Sequence, residues 1–152
     1  MEESLKKYEW NALTAIGGRC LKVERGYALF ELPLSEAVMQ PTGVYHAGMI
    51  VTLADEAASA AAYGGSISIE EIEKRKLEGK ASEKFPYSVQ LSVNLLTNDP
   101  VGPITAESKV VRWGRMTVVD TEVRTCTGEL MTLMRSTHMM VDATKVGPHL
   151  KK

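Results

Sequence analysis

Asp55 and Glu56 sit inside Ala47–Tyr63, a run that is otherwise apolar and rich in alanine. Burying a carboxylate is costly unless it is paired or used, so this pair points to nucleophilic or general-base chemistry. Ser59 follows Asp55 by four residues and shares its face of a helix. Glu56 is rotated from Asp55 by about 100°, so only one of the two carboxylates is expected to face a given pocket. Immediately upstream runs Gln40-Pro41-Thr42-Gly43-Val44-Tyr45-His46-Ala47-Gly48. In a helix that begins at Ala47, the N–H groups of Ala47 and Gly48 lack intrahelical partners and stand at the positive end of the helix dipole. They can bind a carbonyl oxygen and stabilise the negative charge that attack develops on it. Gly48 would let a ligand approach the backbone closely. His46 reads either as a loop-packing residue or as a catalytic one.

These groups need elements to hold them. Ala47–Tyr63 is the central helix, favoured by alanine and stopped by Gly64-Gly65. A helix apolar on most faces must be buried, and its small side chains suit a closely packed curved sheet. Leu5, Tyr8, Ala12, Leu13 and Ile16 recur at helical spacing before Gly17-Gly18, which predicts a helix over 4–16 within an N-terminal segment 1–18. Residues 20–32 read as two strands turning at Arg25-Gly26, and 35–45 as a loop. Segment 66–84 is a charged insertion with a predicted exposed helix over 69–77, behind a Ser68/Glu71 capping box. From Tyr87 onward the period becomes two. Val89, Leu91, Val93 and Leu95 alternate with Gln90, Ser92 and Asn94, and further strands follow over 105–113, 116–126 and 130–141. Residues 142–152 read as a tail.

This order predicts an α+β domain, an antiparallel sheet of about six strands wrapped around one long central helix. One helix cannot cover such a sheet from both sides, so a homodimer is expected, with pairing of dimers into tetramers left open. Gln90 and Ser92 either line a pocket or lie on a solvated face. Arg112 and Arg115, which flank a hairpin turn, either bind an anionic group or are simply solvated.

The 152 residues fit a single domain, and 44% hydrophobic with 24% charged residues excludes wholesale disorder. Eighteen basic and nineteen acidic residues give a net charge of −1, too weak a field to favour nucleic acid or an anionic membrane. Cys20 and Cys126 form no CxxC or Cys/His cluster, so neither a disulfide framework nor a metal site is expected. The acidic N-terminus lacks the apolar stretch of a signal peptide, and 47–62 is too short and too interrupted to span a bilayer. The expected location is the cytoplasm.

The pattern Gln40-x-x-Gly43-x-x-His46-Ala47-Gly48, followed by Leu53-Ala54-Asp55, resembles the hot-dog-fold acyl-CoA thioesterases. The likeness is to the phenylacetate-degradation (PaaI-like) and 4-hydroxybenzoyl-CoA thioesterase branch. That family shows Asn or Gln six residues before the His, then His-Gly-Gly, then Asp or Glu nine residues after it; here 46 − 40 = 6 and 55 − 46 = 9. Leu91–Leu96 ahead of Pro100, and Val110-Val111-Arg112-Trp113-Gly114-Arg115, are similar to the family's later strand and hairpin, and the likeness spans about 20–141. Two departures stand out. Ala47 replaces the first glycine after the His, and the 66–84 insertion exceeds the family's usual connection.

The resemblance implies a thioester hydrolase that releases a free acid and coenzyme A. Asp55 would attack the thioester or activate water. The Ala47 N–H would be the main oxyanion donor, with Gly48 beside it. Gln40 would act from the neighbouring subunit, Ser59 would orient water, and His46 would fix the loop. Coenzyme A enters only as part of the substrate, with no further cofactor and no metal. Two other readings compete. A hot-dog hydratase or dehydratase would carry a proline-rich stretch after the His, which Met49–Leu53 lacks. A non-enzymatic acyl-CoA-binding protein would not need Asp55.

Overall fold

The computed structural model describes residues 10–64, 74, 77–79 and 84–142. The elements run α1 (Asn11–Ala15), β1 (Arg19–Glu24), β2 (Tyr27–Leu32), α2 (Ala47–Tyr63), β3 (Lys84–Leu95), β4 (Ile104–Arg112), β5 (Met116–Arg124) and β6 (Leu130–Asp142). All six strands join one antiparallel sheet in the order β1-β2-β4-β5-β6-β3.

Helix α2 lies against one face of this sheet and touches every strand. Ala54, Ala57, Ala58, Ala60, Ala61 and Ala62 are all buried, and they pack with Ile50 and Leu53 onto Phe30, Leu32, Ile104, Ala106, Val119 and Val123. Side chains this short let the helix axis approach the sheet, so one added methylene on that face would overpack by about 1–3 kcal/mol. The helix stops at Gly64, whose φ is +80° and whose N–H bonds Ala60 O at 2.7 Å. A Cβ there would meet Arg25 Cα at 3.0 Å, so both the torsion and the space require glycine.

The predicted N-terminal helix is shorter in the structure. It covers Asn11–Ala15, and the Leu5 and Tyr8 positions lie outside the described residues. So do the tail beyond Asp142 and most of the 66–84 insertion, including the Ser68/Glu71 capping box. Strand β3 begins at Lys84 rather than Tyr87, and β5 ends at Arg124 rather than Cys126. The loop expected over 35–45 contains a single 3-10 turn, Glu36–Val38.

The alternation in β3 is interrupted. Its pairing with β6 slips between Ser88 and Gln90, which places Val89 in a bulge. Leu91, Val93 and Leu95 pair with Ser136, Met134 and Thr132, all buried toward the helix side. Ser88 pairs with His138, also buried on that side. The extra residue therefore gives Ser88 the face of Leu91 and not that of Gln90.

Candidate active site

Asp55 opens into a cavity of about 370 Å³, lined also by Trp10, Asn11, Glu56, Ser59, Phe85, Tyr87 and Ser88. Aromatic contacts form its wall. The Trp10 ring lies 6.0 Å from Phe85, and Phe85 lies 5.8 Å from Tyr87. The expectation that only one carboxylate would face the pocket is corrected here. A cavity this wide at the helix surface accepts both Asp55 and Glu56, despite the rotation of about 100° between them. Burial, and next to it the Asp55 carboxylate, push Glu56 up to about 7.

Ser88 Oγ donates to Asp55 Oδ1 at 2.6 Å. The same oxygen lies 3.3 Å from His138 Nδ1, and His138 Nε2 lies 2.8 Å from Ser136 Oγ. Since the Ser88 proton goes to Asp55, its oxygen accepts from Nδ1–H, and Ser136 donates to Nε2; both bonds suit a neutral imidazole. His138 is fully buried, and that burial pushes its pKa down while Asp55 pulls it up. Sequence reasoning missed both residues. Strict alternation assigns Ser88 to the face of Gln90, and only the bulge turns it inward. The signal for His138 was the run of polar residues Thr132, Ser136 and His138 on a buried face of β6.

At the start of α2, His46 is the N-cap, and its Nδ1 accepts from the Gly48 N–H at 2.9 Å. A Cβ at Gly48 would stand 3.1 Å from that ring nitrogen, so the glycine makes room for the His46 ring. The Gly48 N–H is thus engaged by the His46 ring. The Ala47 N–H has no hydrogen-bond partner among the described residues, and Ala47 is exposed. Asn98 holds the residue just before this corner, accepting from Tyr45 N at 3.0 Å and donating to Tyr45 O at 2.9 Å. Gln40 folds back on its own loop, where its Oε1 accepts from Thr42 N at 2.9 Å and its Nε2 bonds the Thr42 hydroxyl.

The structure brings Asp55 and Ser59 together, and separates them from His46, Ala47 and Gly48. Eight residues of helix from Ala47 to Asp55 span about 12 Å, too far for both to act on one carbonyl within a protomer. Gln90 is exposed, and Ser92 lies beside Asn94, Asp120 and Arg135 in a different hollow of about 220 Å³. Arg112 is exposed at the end of β4, while Arg115 lines a cavity beyond the C-terminal end of α2. Among the described residues, no three His, Cys, Asp or Glu side chains form a metal-holding group, and no helix is long and apolar enough to cross a membrane.

The thioesterase superfamily model matches residues 42–132, from the loop before α2 into β6. The chain belongs to the thioesterase superfamily. This superfamily member is 29% identical over 123 residues to a 1,4-dihydroxy-2-naphthoyl-CoA hydrolase of Listeria monocytogenes, covering 80% of this chain and 89% of that protein. A thioesterase of Haemophilus influenzae superposes with a TM-score of 0.70 at 22% identity, over 86% of this chain and 82% of its own. The Escherichia coli PaaI protein of the phenylacetic acid degradation operon superposes at 0.72 and 15% identity, over 92% and 90%. These likenesses show the fold: this thioesterase-superfamily chain has the α+β hot-dog architecture.

Proposed function

We propose that the protein hydrolyses acyl-CoA thioesters, with each site shared between two subunits of a homodimer. The observation that carries the reading is Asp55, a carboxylate in an aromatic-walled cavity with one oxygen held by the Ser88 hydroxyl. The other oxygen is left to attack the carbonyl carbon, or to take the proton of an attacking water. Attack places negative charge on the carbonyl oxygen, where the Ala47 N–H of the neighbouring subunit receives it at the positive end of α2. Collapse of that intermediate breaks the C–S bond and releases coenzyme A; the acid leaves directly, or after water opens the acyl-Asp55 anhydride. Gln40, on the same loop as Ala47, would position the carboxylate or water across the interface, and Ser59 would orient water.

Two features support the shared site. The first is the separation of about 12 Å between Ala47 and Asp55 along the helix. The second is β3, an edge strand of twelve residues on which Val89 is 48% and Leu95 49% exposed. A long apolar edge is a surface for pairing with another copy.

The naphthoyl-CoA named for the Listeria relative, together with the Trp10, Phe85 and Tyr87 wall, favours an aromatic acyl group. The test is thiol release from aromatic, short, medium and long acyl-CoAs. Turnover is expected, fastest on an aromatic member. No thiol release from any of them would overturn the reading.

A further inference from the structure

His138 is fully buried on β6 and is not among the residues that line the Asp55 cavity. In the sheet it stands between Ser88 of β3 and Thr117 of β5. The Thr117 hydroxyl donates to Gly114 O at 2.9 Å, which spends its proton away from the ring. Met134, Val119 and Val123 are buried on the same face. An imidazole in such surroundings costs free energy unless its nitrogens are paired.

Ser136 begins a directed row of hydrogen bonds. Its cross-strand neighbours are Leu91 and Val119, whose side chains accept nothing. Its one side-chain hydrogen bond among the described residues joins it to His138 Nε2 at 2.8 Å. The hydroxyl proton therefore goes to Nε2, and the ring proton sits on Nδ1, 3.3 Å from Ser88 Oγ. At the other end, Ser88 gives its own proton to Asp55 at 2.6 Å, so Nδ1 has to donate to Ser88. Both ends require the same tautomer. Burial pushes the His138 pKa down, which keeps the ring neutral with a single proton to place. Each donor in the row Ser136, His138, Ser88 polarises the next, and the last acceptor is the Asp55 carboxylate.

We propose that His138 is a positioning residue for Asp55: its Nδ1–H fixes the direction of the Ser88 hydroxyl, and Ser136 fixes the tautomer. The proposal rests on the acyl-CoA reading above. Without the Nδ1–H, the Ser88 hydroxyl is free to turn from Asp55 toward the ring position or water. The carboxylate then loses its fixed orientation, which lowers kcat and leaves KM alone.

The test is a double-mutant cycle on the best acyl-CoA. His138→Leu should lower kcat about threefold to tenfold with KM unchanged within about twofold. His138→Asn, which places an amide N–H where Nδ1–H stands, should recover most of the loss. In a Ser88→Ala background the row is already cut, so His138→Leu should cost less than about twofold further. A merely structural role would multiply the two losses; that result, or a raised KM with intact kcat, would overturn the proposal. If His138→Leu does not fold, Ser136→Ala takes its place in the cycle. It frees the ring proton to move to Nε2 and should lower kcat about twofold or more only while Ser88 is present.

Nitrogen-15 NMR of histidine-labelled protein reads the tautomer without turnover. Of the three histidines, His46 accepts at Nδ1 from Gly48, so its proton belongs on Nε2. His138 should show the opposite, a proton on Nδ1, in the signal that His138→Asn removes. That result in a protein that hydrolyses no thioester would support the row and count against the catalytic reading alone. A proton on Nε2 of His138 would overturn the proposal.

Discussion

Ser88 Oγ donates to Asp55 Oδ1 across 2.6 Å, joining two residues 33 positions apart. A bond to a charged acceptor is worth about 1.5–3 kcal/mol, and its removal would let the carboxylate rotate. Ser88→Ala should therefore lower kcat roughly tenfold to a hundredfold with little change in KM. Ser88→Thr, which keeps the hydroxyl, should recover most of the loss. A KM effect with intact kcat would mean that Ser88 touches substrate instead of Asp55.

Asp55→Asn keeps the shape of the side chain and removes its charge. The expected loss is a hundredfold or more in kcat/KM, about 3 kcal/mol of barrier, with the thermal transition preserved. Glu56→Gln should cost less than tenfold. The reverse ranking, measured on the best acyl-CoA, would move the chemistry to Glu56.

Glu56 also makes a pH prediction. Burial, then Asp55, raise its pKa to about 7 from an ordinary 4.5. Its protonated form is the one the fold favours. The stability it contributes is fully present below pH 4.5 and is lost as pH rises through about 7. The Tm of wild type should therefore fall relative to Glu56→Gln between pH 5 and 8, with the two curves parallel below that window. His138 acts in the opposite direction, since its lowered pKa costs stability as pH falls. It is common to both proteins and cancels in the difference. Parallel curves throughout would show that Glu56 titrates alike in the folded and the unfolded chain.

Much of this architecture can be read in the chain. The bounds of α2 match the alanine run and its glycine stop, because both are local effects. The four C-terminal strands follow from alternation and turn residues for the same reason. The active cavity is less legible. Ser88 has the wrong parity until a bulge is known, and a bulge depends on pairing with a strand some fifty residues later. A helical wheel sets Glu56 apart from Asp55 because it describes directions, whereas the width of a cavity is set by neighbouring elements. Asn98, which clamps Tyr45 from 53 residues away, left no local trace.

The shared site can be tested by mixing inactive proteins. Gln40→Ala and Asp55→Ala subunits each damage a different half, so a heterodimer of the two would keep one intact site. After statistical exchange of an equal mixture, half of the dimers are heterodimers with one intact site of two, so activity should return toward about a quarter of the wild-type value. Proven exchange without recovery would place both residues in one protomer's site.

Asp99 offers a stability test outside the cavity. Burial pushes its carboxyl up, but the N–H groups of Cys126, Gly102 and Val101 outweigh this and hold it at about 2. The depressed pKa contributes about 2 kcal/mol above pH 3.8, and this is lost as pH falls toward 2. Asp99→Asn would turn an amide N–H toward one of those donors, with an expected loss of about 2–3 kcal/mol by denaturant titration at pH 7. An unchanged midpoint would show that the loop tolerates the amide.

The bulge at Val89 divides β3 into two phases that a single codon could merge. On one side of it the strand offers the helix a hydroxyl; on the other it offers leucine and valine. Loss of that one residue by an in-frame deletion would bring the two halves into step with Ser88 still opposite His138 on the helix side, whereas keeping the residue in an unbulged ladder would turn Ser88 outward while leaving every residue of the cavity unmutated. A bulge gained or lost at constant length in a sheet-edge strand can thus change which side chain supports the carboxylate without disturbing the core behind it.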